Sequence, residues 1–113
     1  MKYFYSHLIK TETLLSRLDE LKLSREQKLY LAKQLDEIIH HEIMDAVLLK
    51  LTEEDKRILW TKMVAGSSND ILLEFLNEKV DNIEKEITVI FAALEDELGQ
   101  DITEALVLAN ERM

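Results

Sequence analysis

The chain contains no proline and only two glycines among its 113 residues. Strand-rich folds need many tight turns, and such turns usually contain proline, which fixes φ, or glycine, which tolerates positive φ. The scarcity of both residue types therefore favours long helices with few connections. Hydrophobic residues make up 47% of the sequence, which is enough for one shared core. We expect a single all-α domain that spans residues 1–113.

Short polar segments mark where helices are expected to begin. In a capping box, a Ser or Thr side chain accepts a hydrogen bond from the free backbone N–H three residues later. The acid or amide side chain at that later position accepts a hydrogen bond from the backbone N–H of the Ser or Thr. Residues 24–27 fit this pattern and residues 52–55 nearly fit it, whereas residues 81–84 and 101–104 are looser forms that begin with Asp. These four segments predict four helix starts.

Apolar residues at helical spacing fill the intervening segments. Gly66 and Gly99 are expected to end helices, because glycine adopts the left-handed conformation of a helix C-terminus without a clash. Such amphipathic helices must pack on one another, and two long helices are expected to form an antiparallel body. The prediction is a small helical bundle of four to five amphipathic helices, at 3–21, 25–50, 53–65, 70–98 and 102–111, with a turn at 66–69.

The segment 70–98 has two interpretations. Its apolar residues step by four and three positions without a slip through Asp81, which favours one continuous helix, about 43 Å long at 1.5 Å per residue. In the alternative, Asp81 and Asn82 form an N-terminal cap with Glu84 behind them, and the segment breaks there. We expect the helix to be continuous or slightly kinked.

The net charge of −9 is carried by one half of the chain. Residues 1–50 contain eight basic and eight acidic residues, which sum to zero, whereas residues 51–113 contain six and fifteen, which sum to −9. Such a surface repels nucleic acid and anionic membranes. We expect the acidic half to serve solubility, or to face a basic partner as a decoy for its nucleic-acid-binding surface.

Several kinds of site lack the residues that they need. The chain has no cysteine, which excludes disulfides and thiolate nucleophiles, and no glycine-rich phosphate loop. Its N-terminus lacks the apolar core of a signal peptide, and no uncharged run approaches the ~20 residues of a membrane helix. We therefore expect a cytoplasmic, non-enzymatic protein with no cofactor, no membrane contact and no small-molecule substrate.

One histidine-containing segment matches a metal-binding pattern. Glu37 and His40 have the Glu-x-x-His spacing of helical di-iron carboxylate bundles, and His41 lies one turn from Glu37. Such sites need two of these motifs, and a second one is available only across a homodimer. A carboxylate and histidine metal site assembled across a dimer is thus one alternative function, and an ordinary polar surface is the other interpretation of the same residues.

Apolar residues outside the main apolar arc of a helix, and a polar residue inside it, predict protein interfaces. Tyr30, Met44 and Leu48 lie opposite the main apolar arc of helix 25–50, and Trp60 is a candidate anchor because aromatic residues dominate interface energetics. Packing in the core is the other interpretation of such residues. Glu42 falls inside that arc, where a carboxylate must be paired, protonated, exposed beyond the core or used to fix the register of an interface. The leading hypothesis is a protein–protein interaction module that forms homo-oligomers.

Three segments also resemble a known group of proteins. They are LSREQK at 23–28, LTEED at 51–55 and EFLNEKVDNI at 74–83. With them, residues 21–98 resemble a family of short all-helical bacterial proteins of unknown function. The resemblance implies a helical domain and a bacterial source, and it brings no catalytic residues. A proline is common in that family at the position of Asp81, which implies a helix break there.

Overall fold

A computed structural model describes residues 3–111, except for the side chains of residues 106 and 109–111. These residues form helices and no strand, which confirms the all-α bundle. A short 3-10 helix, Ser6–Leu8, precedes five α-helices. They are α1 (Glu12–Asp19), α2 (Arg25–Leu49), α3 (Glu53–Val64), α4 (Asn69–Lys79) and α5 (Ile83–Glu111).

The long helices α2 and α5 form the body of the bundle and run antiparallel. The N-terminal segment and its 3-10 helix contact His40 in the middle of α2 and Glu84 at the start of α5. Helix α1 contacts Lys28 near the start of α2 and Gly99 in the second half of α5. One end of α2 therefore lies beside the opposite end of α5. The centre of the core is built from Ile39, Ile43, Val47, Leu72, Leu76, Ile83, Ile87 and Phe91.

Helices α3 and α4 form a hairpin that connects the end of α2 to the start of α5. The elongated molecule measures 55 × 24 × 21 Å. Lys79 at the end of α4 lies 3.8 Å from Asp55 in the first turn of α3, so the two helices run antiparallel. Within residues 3–111, α4 is the element on which α3 packs most extensively. Helix α3 thus has fewer neighbours than the helices of the body.

The predicted helix 3–21 is wrong in its first half. The backbone N–H of Tyr3 donates to the Ser6 hydroxyl at 2.9 Å, and Ile9 is extended with φ −123° and ψ 149°. Phe4 and Tyr5 are both buried, although adjacent residues of a regular α-helix project about 100° apart. Burial of two consecutive aromatic rings has overridden the apolar periodicity of the segment.

The expected continuous helix 70–98 is also wrong, because the chain breaks between α4 and α5. Val80 is extended, with φ −130° and ψ 119°, and Asn82 has a positive φ of 58°. Asparagine is one of the few non-glycine residues that adopt this conformation readily. The break coincides with the alternative start at Asp81 and Asn82, and it leaves Val80 and Ile83 buried on either side.

The predicted stop at Gly99 and the separate helix 102–111 are wrong for a different reason. Helix α5 continues through Gly99 to Glu111. The glycine is buried against α1, and a Cβ atom there would lie 3.0 Å from Nη1 of Arg17. That Nη1 donates to the Gly99 carbonyl oxygen at 2.9 Å and to the Thr103 hydroxyl at 3.0 Å. Gly99 serves close helix packing rather than termination.

The remaining boundary predictions are confirmed. Gly66 has φ 78° and ends α3 in a Schellman motif, with its N–H bonded to Met63 and the next N–H bonded to Lys62. Ser24 and Gln27 exchange both hydrogen bonds of the capping box that starts α2. The other two starts use single caps, in which the hydroxyls of Thr52 and Ser68 accept from the N–H groups of Asp55 and Ile71.

Candidate protein interface

One face of α3 carries three apolar side chains that are exposed to solvent. Trp60 is 67% exposed, Val64 68% and Met63 39%. These positions are three and four residues apart, so their side chains are neighbours on the helix surface. Leu59, one turn before Met63, is buried in the core, so Met63 lies at the edge between the packed and the exposed sides of α3. The sequence pattern indicates Trp60 as an anchor but not Met63 or Val64, because the periodicity of α3 places Met63 on its inward side.

Basic residues accompany these apolar side chains, although α3 begins with an acidic first turn of Glu53, Glu54 and Asp55. Residues 56–69 contain three basic residues and no acidic ones. Lys56 pairs with Glu53 at 3.1 Å, and Lys62 lies 5.7 Å from the ring centre of Phe75. Arg57, one turn before Trp60, is exposed and makes no ion pair with any residue that the structure describes. We call Arg57, Trp60, Met63 and Val64 the α3 face.

Helix α4 presents a surface of opposite charge. Asp70, Glu74 and Glu78 follow one another at intervals of four, so their exposed carboxylates line up along one side of the helix. None of them makes an ion pair among the described residues, and like charges at this spacing repel one another. Ile71, beside the first of them, is 46% exposed. We call these four residues the α4 ridge.

Two of the other predicted interface residues are less accessible than expected. Met44 and Leu48 are half-buried and pack against the core, so the side of α2 on which they lie is not an open contact surface. Tyr30, near the start of the same helix, is 62% exposed. The three residues therefore do not form one continuous apolar face.

Glu42 is exposed and lies outside the core. The buried stripe of α2 is narrow and consists of Ile39, Ile43 and Val47. The flank of the predicted arc that carries Glu42 also carries Ile38 and Leu49, and both of these side chains are exposed. Because the neighbouring helices cover only the middle of the arc, a carboxylate on its flank stays in water without a buried partner.

The predicted metal ligands are exposed or already have partners. Glu37 is exposed, and His41 lies 3.2 Å from Asp45 on the surface of α2. The Nδ1 atom of His40 is engaged by the Tyr5 hydroxyl at 2.5 Å. Among the residues with described side chains, no three His, Asp or Glu residues are grouped so that they could hold a metal ion.

His40 belongs instead to an aromatic cluster that sequence analysis missed. The Tyr3 ring stacks on the His40 ring with centroids 4.0 Å apart, and the Tyr5 ring lies parallel to both. The Tyr3 hydroxyl also donates to Asp36 at 3.4 Å. Three of the seven aromatic residues stand together at positions 3–5, and that density was the available signal. The cluster attaches the N-terminal segment to the middle of α2.

The buried tyrosine of this cluster is electrostatically perturbed. Burial raises the pKa of Tyr5 above its ordinary value, and the nearby Tyr3 and Asp36 raise it further because they disfavour a phenolate. The Tyr5 hydroxyl therefore keeps its proton, and it shares a hydrogen bond with Nδ1 of His40. This arrangement stabilises the fold, and the cluster lies on the body rather than on the hairpin.

A groove of about 360 Å³ between α1 and α5 is lined by Arg17, Glu95, Asp96 and Gly99. Its cation is already used, since Arg17 bonds the backbone and a side chain of α5. The groove therefore lies where α1 is attached to α5, and its arginine is not available to a ligand.

Comparison of the chain with protein-family models, with characterised proteins and with solved structures finds no match. The resemblance of residues 21–98 to a bacterial helical family accordingly stays a prediction. None of the helices in the described part of the chain combines the length and the apolar character that crossing a bilayer requires.

Proposed function

We propose that the protein is a non-enzymatic helical interaction module that self-associates through the α3 face. The observation that carries this proposal is the exposure of Trp60, the single tryptophan of the chain, beside Met63 and Val64 on a helix with few neighbours. The body of the bundle buries Ile43, Ile87 and Phe91 among others, although Tyr30 and Leu49 of α2 are exposed as well. The α3 face leaves its largest side chain in water.

The composition of the α3 face supports a protein partner. Tryptophan, methionine and arginine are enriched at protein interfaces, and tryptophan and arginine are frequent among the residues that dominate binding energy. The face contains one of each, with Val64 adjacent. Met44 and Leu48, by contrast, are engaged by the core, so α3 replaces the outer side of α2 as the main surface.

The size of the surface sets what these residues can contribute. A stable interface buries about 800 Å² on each partner, more than three side chains supply. Trp60, Met63 and Val64 would therefore form the apolar centre of a contact whose rim is polar. Truncation of such a central anchor typically costs about 2 kcal/mol or more in binding free energy.

Sedimentation equilibrium of the full chain over a wide range of micromolar concentrations tests the proposal. We expect self-association that Trp60→Glu weakens by about 30-fold or more, because 1.36 kcal/mol corresponds to a factor of ten. Tyr30→Glu is a matched control, since Tyr30 is 62% exposed against 67% for Trp60 but lies on another helix. Circular dichroism must show unchanged helicity in both variants.

Two results would contradict the proposal. One is a native protein that stays monomeric at every concentration. The other is association that survives Trp60→Glu but is lost with Tyr30→Glu, which would move the interface to the start of α2.

A further inference from the structure

The hairpin carries two surfaces of opposite charge, and each of them exposes at least one apolar side chain. The α3 face combines an arginine that makes no described ion pair with three exposed apolar side chains. The α4 ridge combines three aligned carboxylates with the half-exposed Ile71. The arginine of one surface and the carboxylates of the other are complementary in charge.

We infer that the α3 face of one copy docks on the α4 ridge of a second copy. Arg57 then lies among the carboxylates of Asp70, Glu74 and Glu78, and Trp60 with Val64 packs beside Ile71. This inference rests on the proposed self-association and specifies which surfaces meet. The partner is a second copy because one chain carries both complementary halves of the contact.

Charge decides between this pairing and a contact of α3 with α3. Two α3 faces brought together would oppose Arg57 to the basic residues of the other copy. Of the three acids in the first turn of α3, Glu53 already pairs with Lys56 and Asp55 with Lys79, so two of them are engaged within their own chain. Like charges placed across an interface disfavour association. The α4 ridge has the reverse problem, since its three carboxylates repel one another until a cation approaches.

Apolar area decides between the α4 ridge and the other acidic surfaces. Glu95 and Asp96 of α5 line the same groove as Arg17 of their own chain, which is a cation at their surface. The α4 ridge has no such cation among the described residues, and Ile71 gives it an apolar element that Trp60 can cover. It also lies on the same end of the molecule as the α3 face.

A charge exchange between the two surfaces tests the inference directly. Arg57→Glu places an acid against the ridge, and Glu74→Lys places a cation against the α3 face. Each variant alone is expected to self-associate at least tenfold more weakly than the native chain. An equimolar mixture is expected to recover most of the loss. A dimer of one copy of each variant has two such contacts. In one of them the introduced glutamate lies against the introduced lysine, and in the other native Arg57 lies against native Glu74.

The single tryptophan supplies a second readout. Trp60 is expected to shift its fluorescence to shorter wavelength when the native protein associates, and the shift should disappear on dilution. High salt should weaken the contact, because exposed charges are screened over about 8 Å at physiological ionic strength. Glu104→Lys, a reversal on exposed α5, is the control and should leave the association within about twofold.

The outcomes separate this inference from the proposed function. If Trp60→Glu abolishes association but neither charge reversal changes it, the α3 face is an interface and the α4 ridge is not its partner. If each reversal weakens association and the mixture gives no recovery, the inferred pairing of Arg57 with Glu74 is wrong. A strictly monomeric native protein overturns both proposals together.

Discussion

The body of the bundle and the α3–α4 hairpin differ in how many helices surround their apolar residues. In the body, Ile43 of α2 and Ile87 of α5 are completely buried, because each helix has several neighbours. In the hairpin, α3 packs mainly on α4, and the bulky Trp60 stays in water. An apolar residue at the right spacing is therefore buried only where the fold supplies a neighbour. Side chains that lack one are the candidates for contacts between molecules.

The polar contacts differ in the same sense. The N-terminal segment is fastened to the body by stacked rings and by the hydrogen bond between Tyr5 and His40. The hairpin is closed at its base by the Lys79–Asp55 ion pair, which is 3.8 Å long and partly exposed. Surface ion pairs of this kind typically contribute between zero and about 1 kcal/mol. The hairpin thus depends more on its caps and on α3–α4 packing.

Truncation of one apolar residue in each region gives the largest predicted contrast. We expect Ile43→Ala to lower the free energy of unfolding by about 3 kcal/mol, because it removes buried methyl groups and leaves a cavity. Trp60→Ala removes more atoms, yet it should change stability by no more than about 0.5 kcal/mol, as for other surface substitutions. Urea unfolding at low protein concentration measures both.

Low concentration matters because association would stabilise the native state by mass action and would hide the contrast. If Trp60→Ala lost as much stability as Ile43→Ala under these conditions, Trp60 would be part of the fold and not of an interface. That result would also remove the main support for the proposed function.

The cluster that fastens the N-terminal segment predicts a pH effect confined to the body. The folded chain holds the Tyr5 proton above the ordinary tyrosine pKa of about 10, whereas the unfolded chain releases it there. The native state then binds more protons than the unfolded state, so stability falls as pH rises above about 10. This one group contributes a slope of up to about 1.4 kcal/mol per pH unit.

Other groups also titrate at high pH, and Tyr5→Phe isolates the tyrosine. At neutral pH the variant should be less stable by about 1 kcal/mol, since His40 loses a hydrogen bond. Above about pH 10 the difference between native protein and variant should shrink and then reverse sign. Parallel curves with a constant offset would show that Tyr5 has an ordinary pKa.

The contrast between body and hairpin also separates what could be predicted from sequence. Local chemistry was sufficient for the start of α2 at Ser24, for the cap at Thr52 and for the stop at Gly66, since each depends on atoms within a few residues. The all-α class and the long helix α2 follow from composition and periodicity, whereas the bounds of α5 do not. Both kinds of information are short in range.

The errors share a long-range cause. Glycine is a residue that commonly ends helices, but Gly99 lies within the continuous helix α5. Arg17 of α1, distant in sequence, packs against it. Asn82 breaks a faultless apolar register, because Val80 and Ile83 are both buried by other helices. Exposure of Trp60 likewise depends on how many helices surround α3. The number of neighbours of a helix cannot be read from its own periodicity.

The two caps Ser24 and Ser68 allow the cooperativity of the two regions to be compared. Loss of either hydroxyl should cost about 1 kcal/mol, because a backbone N–H at a helix start loses its acceptor. We expect Ser68→Ala to speed amide exchange in α3 and α4 about fivefold while the amides of α2 stay protected, since weakly packed elements open locally. Ser24→Ala is the matched control in the body. Equal acceleration throughout all the described helices would show that the hairpin and the body unfold as one unit.

The smallest predicted effect lies at Gly99, where the body is packed most closely. Alanine is favoured over glycine within a helix by about 1 kcal/mol, yet its Cβ would lie 3.0 Å from Nη1 of Arg17. In an Arg17→Ala background that obstacle is gone, so Gly99→Ala should stabilise the protein by nearly the full amount. In the native background the gain should be smaller, because Arg17 must move and its bond to the Gly99 carbonyl weakens. A double-mutant cycle from thermal or urea unfolding yields the coupling between the two residues, which we expect to be about 0.5 kcal/mol. Equal gains in both backgrounds would show that Arg17 does not hold α1 against α5. Glycine at position 99 would then lower the stability of α5 without being required for the packing of α1 on α5.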